Sequence, residues 1–321
     1  MKKIHLNILR DPYTGEKLEL VVKESDKDEI ISGELFSNSN KYEISNGIPR
    51  FVNQNNYSNN FSLQWRRWSR VQFDANNISK PMEDYTRNMF ESITELNKEK
   101  LKGKSVLDLG CGSGRFADIA INFGATVVLL DNSSSIDIAK NILGDNNKDI
   151  LFVQGDALML PFENKIFDYV FSIGVLHHTP NPQKGVAESF RVLKPKGEFS
   201  LSVYSDGSNY TFKVVHIWRY IFNKLSPILK YYPPILYAYF FGTLNYILSK
   251  FNIFLTYPVR IFFPSVVLKD LRWSILDTFD LLTTSYQSGT TIYEAYYWLK
   301  NTGFSIVRPG RWGVNLIGTK E

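Results

Sequence analysis

The run Val106-Leu107-Asp108-Leu109-Gly110-Cys111-Gly112-Ser113-Gly114-Arg115-Phe116 concentrates the residues best suited to hold a ligand. Glycines at 110, 112 and 114 permit a tight turn and leave bare backbone that a ligand can approach closely. Their spacing is Gly-x-Gly-x-Gly, not the Gly-x-Gly-x-x-Gly that grips a dinucleotide pyrophosphate. Asp108 points the same way, because a carboxylate beside this turn opposes a pyrophosphate and suits an amino-acid-bearing cation. Asp131, 21 residues beyond Gly110, can accept hydrogen bonds from both hydroxyls of a ribose. Asp156, in Gly155-Asp156-Ala157, can accept from an adenine amino group. Each acid taken singly is also an ordinary turn former. All three fall at successive strand ends, which is where α/β sheets bind ligands.

His177-His178 offer a second chemistry. An imidazole has its pKa near neutrality and can take a proton from a hydroxyl nucleophile. The alternative is that one or both line a pocket or cap the helix before Pro180-Asn181-Pro182. Tyr204 is a further candidate for substrate contact. No metal site is expected, since the four histidines are scattered and the carboxylates unclustered. The single cysteine, Cys111, excludes a disulfide framework and a cysteine-based zinc site, and fits a reducing, cytoplasmic location.

The elements that must position these groups alternate. Val106 to Leu109, Thr126 to Leu130, Ile150 to Val153, Phe167 to Ile173 and Glu198 to Tyr204 read as short buried strands. Helices are expected over Arg115 to Phe123, after Ser134 (with Asp137 as capping partner), and from about Gln183 to Leu193. Repeated β-α-β units of this length imply a parallel sheet covered on both faces. Thr291 and Glu294 form a capping box for a helix ending near Gly303; Phe304 to Val307 and Val314 to Ile317 can close the sheet as an antiparallel pair.

These stretches resemble the class I S-adenosylmethionine-dependent methyltransferases. The likeness rests on the glycine run, Gly155-Asp156-Ala157 through Leu160-Pro161-Phe162, Phe167-Asp168-Tyr169-Val170, Val175-Leu176-His177-His178 and Leu193-Lys194-Pro195-Lys196-Gly197, in family order over about residues 100 to 205. The resemblance implies an α/β fold with a Rossmann-like seven-stranded sheet and S-adenosyl-L-methionine as cofactor. It assigns the methionine part to the glycine loop, the ribose to Asp131 and the adenine to Asp156-Ala157. The expected cofactor contacts are Asp108, Gly110, Cys111, Gly112, Gly114, Asp131, Asn132, Asp156, Ala157 and Ile173, with His177 and His178 as the catalytic candidates.

The flanks differ in composition. Residues 1–55 alternate short apolar runs with turns, as a small β-rich module would. Leu9-Arg10-Asp11-Pro12-Tyr13 and Tyr42 to Arg50 resemble a zinc ribbon of the small tRNA-methyltransferase activator type, but its ligand cysteines are missing and Asp11 stands where the first would be. A polar, Asn-rich linker is expected at 53–60, leading into a helical linker and cofactor cover over 56–103 that carries Trp65, Trp68 and Phe73. Residues 104–206 and 286–321 make the methyltransferase domain, and 207–285 a helical, aromatic, basic insertion.

That insertion explains the net charge of +5, because no acid lies between Asp206 and Asp270 while seven basic residues do. Lys213, His216, Arg219 and Asn223 recur at helical spacing against an apolar face of Phe212, Val215, Trp218, Phe222 and Leu225. A basic amphipathic helix rich in aromatics reads as a membrane-surface element, or as an insertion that covers the active site. Tyr231 to Ser249 is uncharged, but Pro233-Pro234, Gly242 and Asn245 make it a marginal membrane span. Isolated cations among apolar residues make a poor phosphate-tracking surface, so no nucleic acid is expected. The N-terminus lacks the apolar run of a signal peptide. The combined expectation is O-methylation of a small-molecule, sugar or lipid-linked acceptor; the rivals are an NAD-dependent oxidoreductase and a non-catalytic binder of S-adenosylmethionine.

Overall fold

The computed structural model describes residues 1–52, 59–144, 149–207, 213–225, 232–284 and 289–321. Residues 53–58 of the linker expected at 53–60, and Phe212, Lys230 and Tyr231 of the insertion, lie outside them. Four strands open the chain: β1 (Glu19–Asp26), β2 (Glu29–Phe36), β3 (Lys41–Ser45) and β4 (Ile48–Arg50). Helices α1 (Asn59–Trp68), α2 (Tyr85–Thr94) and the single turn α3 (Lys98–Leu101) follow. The alternating unit runs β5 (Ser105–Leu109), α4 (Arg115–Asn122), β6 (Thr126–Asp131), α5 (Ser135–Leu143), β7 (Ile150–Gln154), β8 (Phe167–Ile173), α6 (Pro182–Val192) and β9 (Leu193–Val203). The insertion is helical, with α7 (Lys213–Asn223), α8 (Tyr232–Phe251), α9 (Thr256–Phe262) and α10 (Leu271–Thr283). The chain then forms α11 (Ile292–Thr302), β10 (Ile306–Pro309) and β11 (Val314–Thr319).

Period-two alternation sorts the central strands between two cores. Leu107, Leu109, Val128 and Leu130 face one side, and Val106, Val127 and Leu129 the other. All are buried, as parallel strands covered on both faces require. The seven expected strands run β7-β6-β5-β8-β9-β11-β10, with β11 antiparallel to both neighbours. The N-terminal strands do not form a sheet of their own: β4 pairs parallel with β7, extending the sheet to eleven strands. Asp11, where a ligand cysteine would stand, serves as a turn anchor instead. Its carboxylate accepts from the backbone N–H groups of Tyr13 and Thr14, from Ser37 Oγ and from Asn40 Nδ2, so hydrogen bonds tie the two turns together.

Two local expectations need correction. Ser134 makes no side-chain cap on α5. Asp137 is drawn away instead by Arg50, whose guanidinium donates to both of its carboxylate oxygens at 2.7 and 3.1 Å. Arg219, expected on a polar face of α7, is buried between Val215 and Phe222, where it donates to Leu281 O at 2.7 and 2.9 Å. Guanidinium burial is tolerable here because it satisfies a carbonyl of the last turn of α10. The exposed face of α7 therefore carries Ile217, Tyr220 and Ile221.

Arg50 ties the N-terminal strands to the central sheet as well as to α5, since it also donates to Gln154 Oε1 at 2.8 Å. Arg50→Ala leaves partly buried acceptors unpaired and is expected to cost about 1–3 kcal/mol. Calorimetry should show this as a melting temperature lower by several degrees, with the cofactor loop intact.

Candidate active site

The strand order reverses between β5 and β8, opening a crevice at their carboxyl ends. The glycine run fills that crevice. Gly110 and Cys111 both donate their N–H groups to Leu130 O, at 2.8 and 3.1 Å, stitching the turn to β6. Gly110 has φ +84°, and a Cβ there would lie 2.3 Å from Val175 Cγ1, so only glycine fits. A Cβ on Gly112 would lie 2.8 Å from Trp65 Nε1, which shows how closely α1 covers the loop. Asp131 holds the turn from the next strand. Its Oδ2 accepts from Gly112 N at 2.9 Å, while Oδ1 accepts from Ser133 N and Oγ at 2.8 and 2.7 Å.

A cavity of about 390 Å³ sits over this loop, within the range of small-molecule sites. Of the residues expected from sequence, Gly110, Cys111, Gly112, Asp131, Asn132, Ala157, Ile173, His178 and Tyr204 line it. The rest stand behind the wall. Gly114 turns the chain into α4 at φ +91° and packs under Leu143. Asp156 accepts from Leu158 N at 2.9 Å, holding the turn that presents Ala157. Asp108 is buried, and its Oδ2 has no hydrogen-bond partner among the described residues. Burial and the nearby Asp131 carboxylate push its pKa well above the usual range. An orphaned acid oxygen and a second carboxylate beside bare backbone suit a cationic ligand and oppose a pyrophosphate. The cavity thus fits S-adenosylmethionine on its own chemistry.

The two histidines separate. His178 lines the cavity, whereas His177 is 1% exposed and lies behind it, its ring centroid 4.0 Å from that of His178 and 4.1 Å from that of Tyr204. Neither ring nitrogen of His177 has a hydrogen-bond partner among the described residues, and burial holds its pKa well below the ordinary value.

A cover from 56–103 and an insertion over the site were among the expectations, but the side chains of the far wall were not named. Arg115, Gln64, Gln72, Tyr85, Trp273, Asp277 and Asp280 line it, and the last three arrive on α10 from the insertion. One signal was present in the sequence: Asp277 and Asp280 interrupt the apolar run Ile275 to Leu282 three residues apart, on one helix face. Arg115 was also legible, as the first helical residue after the glycines. The glutamines of the cover carried no signal.

No group of histidine, cysteine or acidic side chains that could hold a metal occurs among the described residues. Among them, too, no helix is long and apolar enough to cross a membrane.

A family profile described as a methyltransferase domain matches residues 107–201. Curated relatives include the ubiquinone biosynthesis O-methyltransferase of Coxiella burnetii, 33% identical over 127 residues, covering 39% of this chain and 54% of that protein. Sterol 24-C-methyltransferase of Schizosaccharomyces pombe is 38% identical over 34% of this chain and 30% of its own length. Demethylmenaquinone methyltransferase of Lactococcus lactis is 44% identical over 30% and 40% respectively. The chain spans about half the length, or less, of these relatives. Among solved structures, the arsenic(III) S-adenosylmethionine methyltransferase of Chlamydomonas reinhardtii is 31% identical over 32% of this chain and 40% of that one, with a TM-score of 0.30. With its glycine loop, strand-end acids and sheet order in place, the segment from 107 to 201 is a methyltransferase domain of the class I S-adenosylmethionine-dependent family.

Proposed function

We propose that this chain methylates a hydroxyl of a small, apolar-tailed acceptor, such as a sugar or lipid-linked metabolite, at a membrane surface. The observation that carries this reading is the single cavity that joins the glycine loop to the wall supplied by the insertion. S-adenosylmethionine, when bound, supplies a methyl carbon made electrophilic by its sulfonium. The chain's own residues do the rest. Backbone at 110–112 cradles the methionine part, Asp131 accepts from the ribose, and Ala157 and Ile173 flank the adenine. Trp65 and α1 close over the loop and exclude water, which strengthens each polar contact beneath. His178 stands at the wall where an acceptor enters.

Membrane contact is supported by the outer face of the insertion. Leu236, Phe240, Phe251, Phe254, Ile261 and Phe262 are between 62% and 79% exposed. Surface apolar side chains in such density mark a contact site. Lys250, Arg260 and Lys269 lie in the same segment without any acid from 207 to 269. An anionic bilayer complements both features. The O-methyltransferase and sterol relatives act, by name, on lipid-like molecules, which agrees with such a location.

Two measurements test this reading. Isothermal titration should show S-adenosylhomocysteine binding that falls about 10- to 100-fold in Asp131→Ala, the equivalent of hydrogen bonds to one charged group. No binding by the parent chain would refute the reading. In flotation assays the protein should associate with vesicles containing phosphatidylglycerol more than with phosphatidylcholine alone. The triple variant Phe251→Ser, Phe254→Ser, Phe262→Ser should lose this association while keeping its affinity for S-adenosylhomocysteine. Equal flotation of parent and variant, or self-association in place of flotation, would sink the membrane part.

A further inference from the structure

The wall opposite the glycine loop is built from groups that the methyl-donor grip does not use. Asp280 is 8% exposed and accepts from Tyr204 Oη at 3.4 Å and from the Gln64 side chain. Asp277, one turn earlier on α10, reaches the cavity and accepts from Gln72 Nε2 at 3.4 Å. Gln72 is 5% exposed, lines the cavity, and its Oε1 has no hydrogen-bond partner among the described residues. A buried amide oxygen without a donor is costly unless something supplies one. Arg115 Nη1 is likewise without a hydrogen-bond partner there. Trp273 and Trp312 add flat apolar faces beside these groups.

We propose that Asp277 and Asp280 form the acceptor face of the site, with Asp277 as the base that takes the proton from a hydroxyl of a sugar-like polyol. The inference rests on the methyl-transfer reading above and names its acceptor chemistry. Carboxylate and amide oxygens accept from several ring hydroxyls at once, and the indole faces meet the C–H face of the ring. In the transfer, the acceptor's O–H bond breaks and its proton passes to a carboxylate oxygen of Asp277. The oxygen's electron pair forms the new bond to the methyl carbon, and the electrons of the broken carbon–sulfur bond leave on sulfur as a neutral thioether. Asp277 then returns the proton to water.

The surroundings poise this acid near neutrality. Burial comes first and the Asp280 carboxylate second in raising Asp277 to about 7, while the Arg115 guanidinium opposes them. Tyr85 and Gln72 face it from the cover. Asp280 is raised to about 6 by burial, against Arg219 of α7, Gln64, Tyr204 and Arg115. A base must be deprotonated to act, so kcat/KM should rise with pH through about 7.

The test uses the full chain with octyl glycosides as acceptors and labelled S-adenosylmethionine as donor. Asp277→Asn should lower the rate about 100-fold or more and leave S-adenosylhomocysteine affinity unchanged. Asp280→Asn removes a like charge, so the rising limb should move to lower pH. Carbon-13 spectra of protein labelled at the aspartate carboxyl should show one resonance titrating near 7 that vanishes in Asp277→Asn; this readout needs no turnover. Full activity in Asp277→Asn, no such resonance, or loss of the pH limb in His178→Gln would overturn the assignment. A parent chain that binds S-adenosylhomocysteine but methylates no glycoside overturns the polyol acceptor alone; one that does not bind it overturns the reading beneath.

Discussion

The reversal of strand order between β5 and β8 constrains everything else in this molecule. It leaves a crevice that only backbone can line at its narrowest point, and Gly110 meets that demand against the side chain of Val175. Asp131 then fixes the loop by accepting from Gly112, so that a single carboxylate both shapes the turn and remains on the cavity wall. The cover follows from the same constraint. Because the loop is bare, α1 can lay Trp65 directly on it, and Trp68 three residues later packs against Phe279 of α10 with ring centroids 5.1 Å apart.

Charge is distributed across the cavity in two groups. Asp108 and Asp131 lie on the side of the glycine loop, and Asp277 and Asp280 on the side of α10, with Arg115 facing the latter. Each pair raises a carboxyl pKa through mutual repulsion as well as burial. A cation on the glycine-loop side would favour the charged forms of Asp108 and Asp131, while the α10 pair is opposed by Arg115.

Much of this was legible in the residues. The strands of the central sheet, the capping box at Thr291 and the helix stop at Gly303 were set by local chemistry, and the structure reproduces them. The glycine run identified the cavity floor because its pattern is local in sequence. Other features depend on distant partners and left only faint marks. Nothing near Asp137 announces that Arg50, 87 positions away, takes it from the helix cap. Nothing near Arg219 announces a carbonyl of α10. The acids at 277 and 280 were visible as interruptions of an apolar helix, but their role depends on how the insertion folds back, which periodicity does not specify.

The eleven-stranded sheet also has outer margins. At one side β7 would be the outermost strand, but β4 pairs with it at Arg50 and Gln154 and passes the boundary outward to β1. That last strand is irregular between Val22 and Glu24, and it displays Lys23, Glu24 and Asp26 to solvent. At the other side β10 is four residues long and ends in Pro309, which has no amide hydrogen to offer. Kinked, charged and donor-poor borders resist the stacking of one copy on the next. The N-terminal strands thus shift the open margin of the sheet from β7 to a charged, irregular strand, a consequence separate from any chemistry in the cavity.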